Sequence, residues 1–271
     1  MSSLIARARL LAAALVAVLT AAACSDSNGG RVSLALSTRP APGPAASAAA
    51  WAGGPALHVI AAGESTVVVR GGDTLILRSV EVVLRDIELE RVEAADCPDL
   101  EADDQGCEEF ETGPVHLGLP LGNATEVTVS IVAPAGRYDE LEFEVHKPDE
   151  LEDAAFIAAH PDLADVSIRV RGTFSDDGAR TDFTYLTDLN EEQEIALMPF
   201  LEVIDGEPVN VTLRLDVSTW FLDLAGTGLV NPLTANKGGA NENLVRDNIR
   251  RSIDAFRDDD RDGLDDDNEE G

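Results

Sequence analysis

Between residues 57 and 217 hydrophobic and polar residues alternate with period two over most of the chain. Val127, Val129 and Ile131 alternate with Thr and Ser, Leu141, Phe143 and Val145 with Glu, and Val166, Ile168 and Val170 with Ser and Arg. Phe183 and Tyr185 continue the pattern, and Val209, Val211, Leu213, Leu215 and Val217 form its most regular stretch. Successive side chains of a strand point to opposite faces, so each run predicts a strand with one buried and one wet face. Gly71-Gly72-Asp73, Pro134-Ala135-Gly136, Ser175-Asp176-Asp177-Gly178 and Asp205-Gly206 supply turns between the runs. The apolar run from Leu75 to Val92 is long for one strand and predicts a bend or bulge midway. Many alternating strands without regularly interposed helices predict a mainly β protein, an antiparallel β-sandwich.

Two segments carry a helical pattern instead. Residues 149–160 have Asp149 to cap a helix and Pro161 to end it. In residues 242–257, Val245, Ile249, Ile253 and Phe256 fall at spacings of 4, 4 and 3, which predicts one apolar helix face, with Asn241 or Asn243 as cap. That face is expected to dock on the sandwich.

The N-terminus has the features of an export signal. Arg7 and Arg9 precede the apolar run Leu10 to Leu19, which is too short to span a bilayer, and Ala21 to Ala23 lead into Cys24. The segment resembles a bacterial lipobox, with Ala21 where that pattern usually has Leu; an ordinary cleaved secretory signal is the alternative. The resemblance implies lipidation of Cys24, and Ser25 after it implies the outer membrane. The predicted organisation is a signal peptide (1–24), a tether and low-complexity linker (25–56) with a possible strand at 32–36, a sandwich (57–240), and a helix with an acidic loop (241–271). Cys97 and Cys107 remain for a disulfide across a short acidic loop, as an oxidising envelope allows. Two free thiols or a metal pair are the alternatives, with no histidine near and no zinc spacing.

The formal charge of −31 becomes two units more negative once Arg7 and Arg9 leave with the signal. Phosphate groups require basic patches, so this balance argues against nucleic acid and against anionic membrane surfaces. The expected partners are the membrane, through lipid on Cys24, and a glycan or another envelope protein.

The most specific chemistry lies at the end of the chain, RDDDRDGLDDDNEE (257–270). Asp258, Asp260 and Asp262 alternate, Gly263 follows, and Glu269 stands at position 12 counted from Asp258. A twelve-residue calcium loop needs ligands at positions 1, 3, 5, 7, 9 and 12 and glycine at 6. In that register Asp258, Asp260 and Asp262 offer carboxylates, Leu264 a main-chain carbonyl, Asp266 a direct or water-mediated contact, and Glu269 a bidentate carboxylate. The string is similar to the acidic loops of dockerins and thrombospondin-type repeats. Asp265 at position 8 and the absence of a helix after Glu269 depart from a paired EF-hand, so the expectation is a weak, single calcium loop; a solvated acidic tail is the plain alternative.

Several strings taken together, GDTLILRSVEVVLRDIELERVE (72–93), ETGPV (111–115), PAGRYDELEFEVHKP (134–148) and VTLRLDVSTWF (211–221), resemble uncharacterised bacterial lipoproteins with a domain of unknown function. The resemblance covers roughly residues 60–270 and implies an immunoglobulin-like or transthyretin-like sandwich in the cell envelope. It carries over no catalytic residues. No nucleophile elbow, HExxH or phosphate loop occurs, and His58, His116, His146 and His160 share no metal-ligand spacing. The expected role is therefore a non-catalytic binding or structural module. The alternatives are a module that binds carbohydrate or surface polymer, for which Trp220-Phe221 would be an exposed platform rather than core, and an envelope hydrolase built on spatially paired carboxylates.

Overall fold

The computed structural model describes residues 29–40, 58–61, 65–92, 113–122 and 125–266. The strands run in chain order as β1 (Gly30–Ser37), β2 (His58–Ala61), β3 (Thr66–Arg70), β4 (Asp73–Arg91), β5 (Val115–Gly118) and β6 (Thr125–Ala133). They continue as β7 (Gly136–Val145), β8 (Ile168–Asp176), β9 (Ala179–Thr187), β10 (Glu191–Val203), β11 (Pro208–Leu215) and β12 (Ile253–Arg257). Two short helices are α1 (Ala154–Ala159) and α2 (Glu242–Arg250).

The strands form two sheets, as the alternation predicts. One has four strands in the order β12-β11-β1-β6; the other has eight, with β10-β7-β4-β3-β2 as its path and β5, β8 and β9 joined through β4. Leu34, Leu36, Val211, Leu213 and Leu215 of the first sheet share one hydrophobic core with Leu75, Leu77, Leu89, Leu141, Phe143 and Val145 of the second. The first sheet is mixed: β1 is antiparallel to β6 but parallel to β11, Leu34 standing opposite Val211. The long run from Leu75 is the 19-residue β4, whose pairing shifts between Leu77 and Ser79 and again between Arg85 and Glu88, where Asp86 takes a φ of 48°.

The strand expected at 32–36 extends over 30–37 and lies in the middle of a sheet. Val32, Leu34 and Leu36 are buried, so this part of the segment expected to be tether is core.

The single helix expected over 242–257 is not formed. Helix α2 stops at Arg250, and Ile253–Arg257 pairs as β12 with β11, Ala255 opposite Leu213. Val245 and Ile249 are fully buried, as their spacing requires. Ile253 and Phe256 instead join a strand, because β11 offers an edge whose backbone groups need partners, and that gain exceeds the local helical preference. Ser252 marks the switch: its hydroxyl donates to the Ile249 carbonyl at 2.6 Å and accepts the Trp220 indole N–H at 2.7 Å.

The helix expected at 149–160 is shortened to Ala154–Ala159. Asp149 does not cap it. Its carboxylate accepts the N–H groups of Leu151 and Glu152 and closes a separate turn ahead of the helix.

Candidate metal centre

Strand β12 delivers the chain directly into Asp258. That residue is buried against β11, its main-chain N–H bonded to the Asn210 carbonyl at 3.1 Å and its carbonyl accepting from the Asn210 amide at 2.8 Å. The Thr212 hydroxyl donates to one carboxylate oxygen at 2.6 Å. The loop then curls around that carboxylate: Gly263 N–H donates to Oδ2 and Asp262 N–H to Oδ1, both at 3.0 Å. Asp260 Oδ1 accepts from Asp262 N–H, and Asp262 Oδ1 from Leu264 N–H.

Gly263 is required at its position for two reasons. Its φ is 81°, and a Cβ there would come within 2.7 Å of Thr125 Oγ1 at the start of β6. Arg39, just past β1, donates to the Asp262 carbonyl at 2.7 Å. The acidic loop is thus fastened to β1, β6 and β11. Nothing in the sequence links these residues, which meet only because β6, β1 and β11 are neighbours in one sheet and the loop crosses them.

Of the expected ligands, Asp258, Asp260 and Asp262 are brought together, each with one oxygen within 4.8 Å of the others. Two oxygens bound to one calcium at about 2.4 Å stand at most about 4.8 Å apart, so the three carboxylates fit a shared hard cation. Leu264 follows in the half-buried part of the loop, and Asp266 turns its carboxylate back to accept the Asp259 N–H at 2.7 Å. Glu269, Cys24, Cys97 and Cys107 lie outside the described residues. Burial raises the pKa of Asp258 above the ordinary carboxylate range, opposed by the Thr212 hydroxyl and the two loop N–H groups. A cation would supply the charge compensation that burial otherwise denies this group.

Compared with known proteins, the chain matches no family model, no curated protein and no solved structure. The geometry alone therefore ranks the remaining candidates.

A second acidic group lies on the outward face of the larger sheet. Glu90, Glu140 and Glu142 also offer oxygens within 4.8 Å of one another. The register sets Glu142 opposite both Glu88 and Glu194, Glu140 opposite Glu90, and Glu144 opposite Glu192. Glu142 shares a hydrogen bond with Glu192, and this bond, burial and the surrounding carboxylates push it up to about 7. Among the described residues these two triads are the groups of three or more ligand atoms so closely placed, and neither contains a histidine.

Two histidines nevertheless meet that the sequence kept apart. The His116 and His160 rings lie 4.8 Å apart, and His116 Nε2 stands 3.2 Å from Glu81. Arg169 grips both Glu81 oxygens at 2.6 Å and pairs with Asp162. The Arg169 hydrogen bonds hold both carboxylates below their ordinary pKa range. Groups so held ionised and neutralised serve poorly as proton donors at neutral pH. Trp220 and Phe221 are fully buried, Phe221 edge-on to Tyr185 at 5.3 Å, so this pair is core and offers no sugar platform.

Proposed function

We propose that this chain is a lipid-anchored protein of the bacterial outer membrane, a non-catalytic binding or structural β-sandwich module whose C-terminal loop binds calcium. The address follows from the export signal and Cys24; a disulfide between Cys97 and Cys107 suits that compartment. The observation that supports the ion is the agreement of sequence register with geometry: Asp258, Asp260 and Asp262 in alternation, Gly263 in the left-handed region, and three carboxylate oxygens within one ion's reach. Leu264, Asp266 and Glu269 would complete the oxygen set. The ion's role is structural: it clamps the end of the chain to β1, β6 and β11. A single loop without a partner hand suits extracellular calcium, with a dissociation constant of about 0.1–1 mM.

Calorimetry with calcium on the mature protein and on an Asp260→Asn/Glu269→Gln double variant tests this. The wild type is expected to release or take up heat at millimolar calcium and to gain about 1–3 kcal/mol of stability at saturating ion, both lost in the variant. Equal binding by the two proteins, or none by the wild type, would remove the assignment.

A further inference from the structure

Resting on the lipid anchor just proposed, we infer that the domain stands on its membrane by one specific end, with Val132 and Ile204 in contact with the lipid. The length of chain between Cys24 and the first strand carries this. Because β1 begins at Gly30 and is a central strand, only four residues, Ser25 to Asn28, separate the acylated cysteine from Gly29. The five steps from Cys24 to Gly29 span at most about 17 Å even when fully extended. Whatever surrounds Gly29 is therefore held at the bilayer surface.

The exit of the tether is also fixed. Gly29 and Gly30 pass through a slot between the end of β6 and the β10–β11 turn, where a Cβ on either would come within 2.6 Å of a main-chain oxygen, Ala133 or Ile204. Gly206 N–H bonds to the Gly29 carbonyl and Arg31 N–H to the Glu207 carbonyl, which ties the entering chain to that turn.

This end carries exposed apolar surface that the sandwich does not use. Val132 and Ile204 are 46% and 48% exposed and flank the entry point, and Met198 and Phe200 are exposed on the adjoining part of β10. They make four of the eight large hydrophobic side chains exposed among the described residues. Arg31 is exposed beside them, and the Arg137 guanidinium lies 4.5 Å above the Phe200 ring. Arginines flanking apolar residues suit an interface of acyl chains and phosphate headgroups. The exposed Asp205 and Glu207 on the same turn keep the contact shallow, at headgroup depth. The calcium loop reaches from Asn210, opposite Ser33 within β1, to Ser37 and Arg39 past its end, so it lies along the strand rather than on the apolar end.

The test uses mature, lipidated protein in vesicles of phosphatidylethanolamine and phosphatidylglycerol with dibrominated acyl chains. Val132→Trp, Ile204→Trp and Leu151→Trp are compared; Leu151 is 90% exposed but follows the far end of β7. Bromine should quench the tryptophans at 132 and 204 at least about twofold more than the one at 151, given an interfacial depth of about 5–10 Å. Inserting about twenty Gly/Ser residues between Ser27 and Asn28, a span of about 25 Å, leaves the folded domain untouched and should weaken that quenching. Equal quenching at all three sites overturns the inference, as does a face that dimerises without lipid and stays unquenched on vesicles. A mass without acyl chains on Cys24 would instead remove the anchor itself, and the inference with it, before any quenching is read.

Discussion

Glu142 illustrates how a residue that looks like ordinary solvent-facing polarity acquires a property from its neighbours. In the sequence it is one of several glutamates alternating with apolar residues, the mark of a wet strand face. In the sheet it stands between Glu88 and Glu194 and is hydrogen-bonded to Glu192. Like charges directly opposite one another destabilise a sheet, and binding a proton relieves them. The folded pKa is raised above the unfolded one, so between the ordinary glutamate range and about pH 7 the native state holds more protons than the unfolded chain. Stability is therefore expected to fall as pH rises through that window. Thermal melting of the wild type should show a higher midpoint at pH 5 than at pH 8, and Glu142→Gln should raise the pH 8 midpoint and flatten the dependence. A midpoint that rises steadily with pH across the window would contradict the raised pKa of Glu142. Asp258 shows the opposite use of a carboxylate: buried and hydrogen-bonded, it organises a loop in which Asp259, Asp260 and Asp262 remain exposed.

At the scale of elements, the most instructive segment is the one from α2 to β12. The 4-4-3 spacing of Val245, Ile249, Ile253 and Phe256 reads as one helix, and its first half forms as such. The second half also satisfies a period of two through Ile253 and Ala255, so local pattern alone leaves two solutions. The unpaired edge of β11 decides between them. A side-chain clamp holds the junction: Asn248 on α2 donates to the carbonyls of Trp220 at 3.1 Å and Leu222 at 3.0 Å, binding the helix to the chain that leaves β11. Asn248→Ala leaves two carbonyls without their donor and is expected to destabilise by about 1–3 kcal/mol in urea titration. A loss below a few tenths would mean water replaces the amide at no cost. The edge of β9 is managed similarly, with Asn236 standing in for a missing strand by bonding Leu186 N–H and the Thr184 carbonyl.

For the whole molecule, the decisive fact is that the first and last strands share a sheet. Strand β1 pairs in parallel with β11, which in turn pairs with β12, so the first and last described strands both belong to the four-stranded sheet that packs on the eight-stranded one. The sandwich thus begins at Gly30, within the segment whose composition suggests a tether. A chain starting at residue 57 would lack Val32, Leu34 and Leu36 from the core and the strand between β6 and β11. It is expected to lose cooperative thermal unfolding and near-ultraviolet dichroism around buried Trp220. A sharp, native-like transition in that truncation would contradict the central place of β1. Strand β1 thus receives the tether at its start, while the acidic loop runs beside its later part, from Asn210 opposite Ser33 to Arg39 just past Ser37.

The sequence by itself determined the class of fold, most strand positions and the loop register, because periodicity, turn residues and ligand spacing are local properties of the chain. Val209 to Val217 could be read as a strand, and Asp258 to Gly263 as a calcium-type turn, from neighbours in the sequence alone. Only tertiary structure decided that residues 30–37 are core, that Ile253–Arg257 is a strand, that His116 meets His160, and that Thr212, Asn210, Arg39 and Thr125 seat the acidic loop. Each of these depends on pairings between residues far apart in the chain, and the free energy of satisfying a distant strand's edge or burying a distant carboxylate leaves no trace in local pattern.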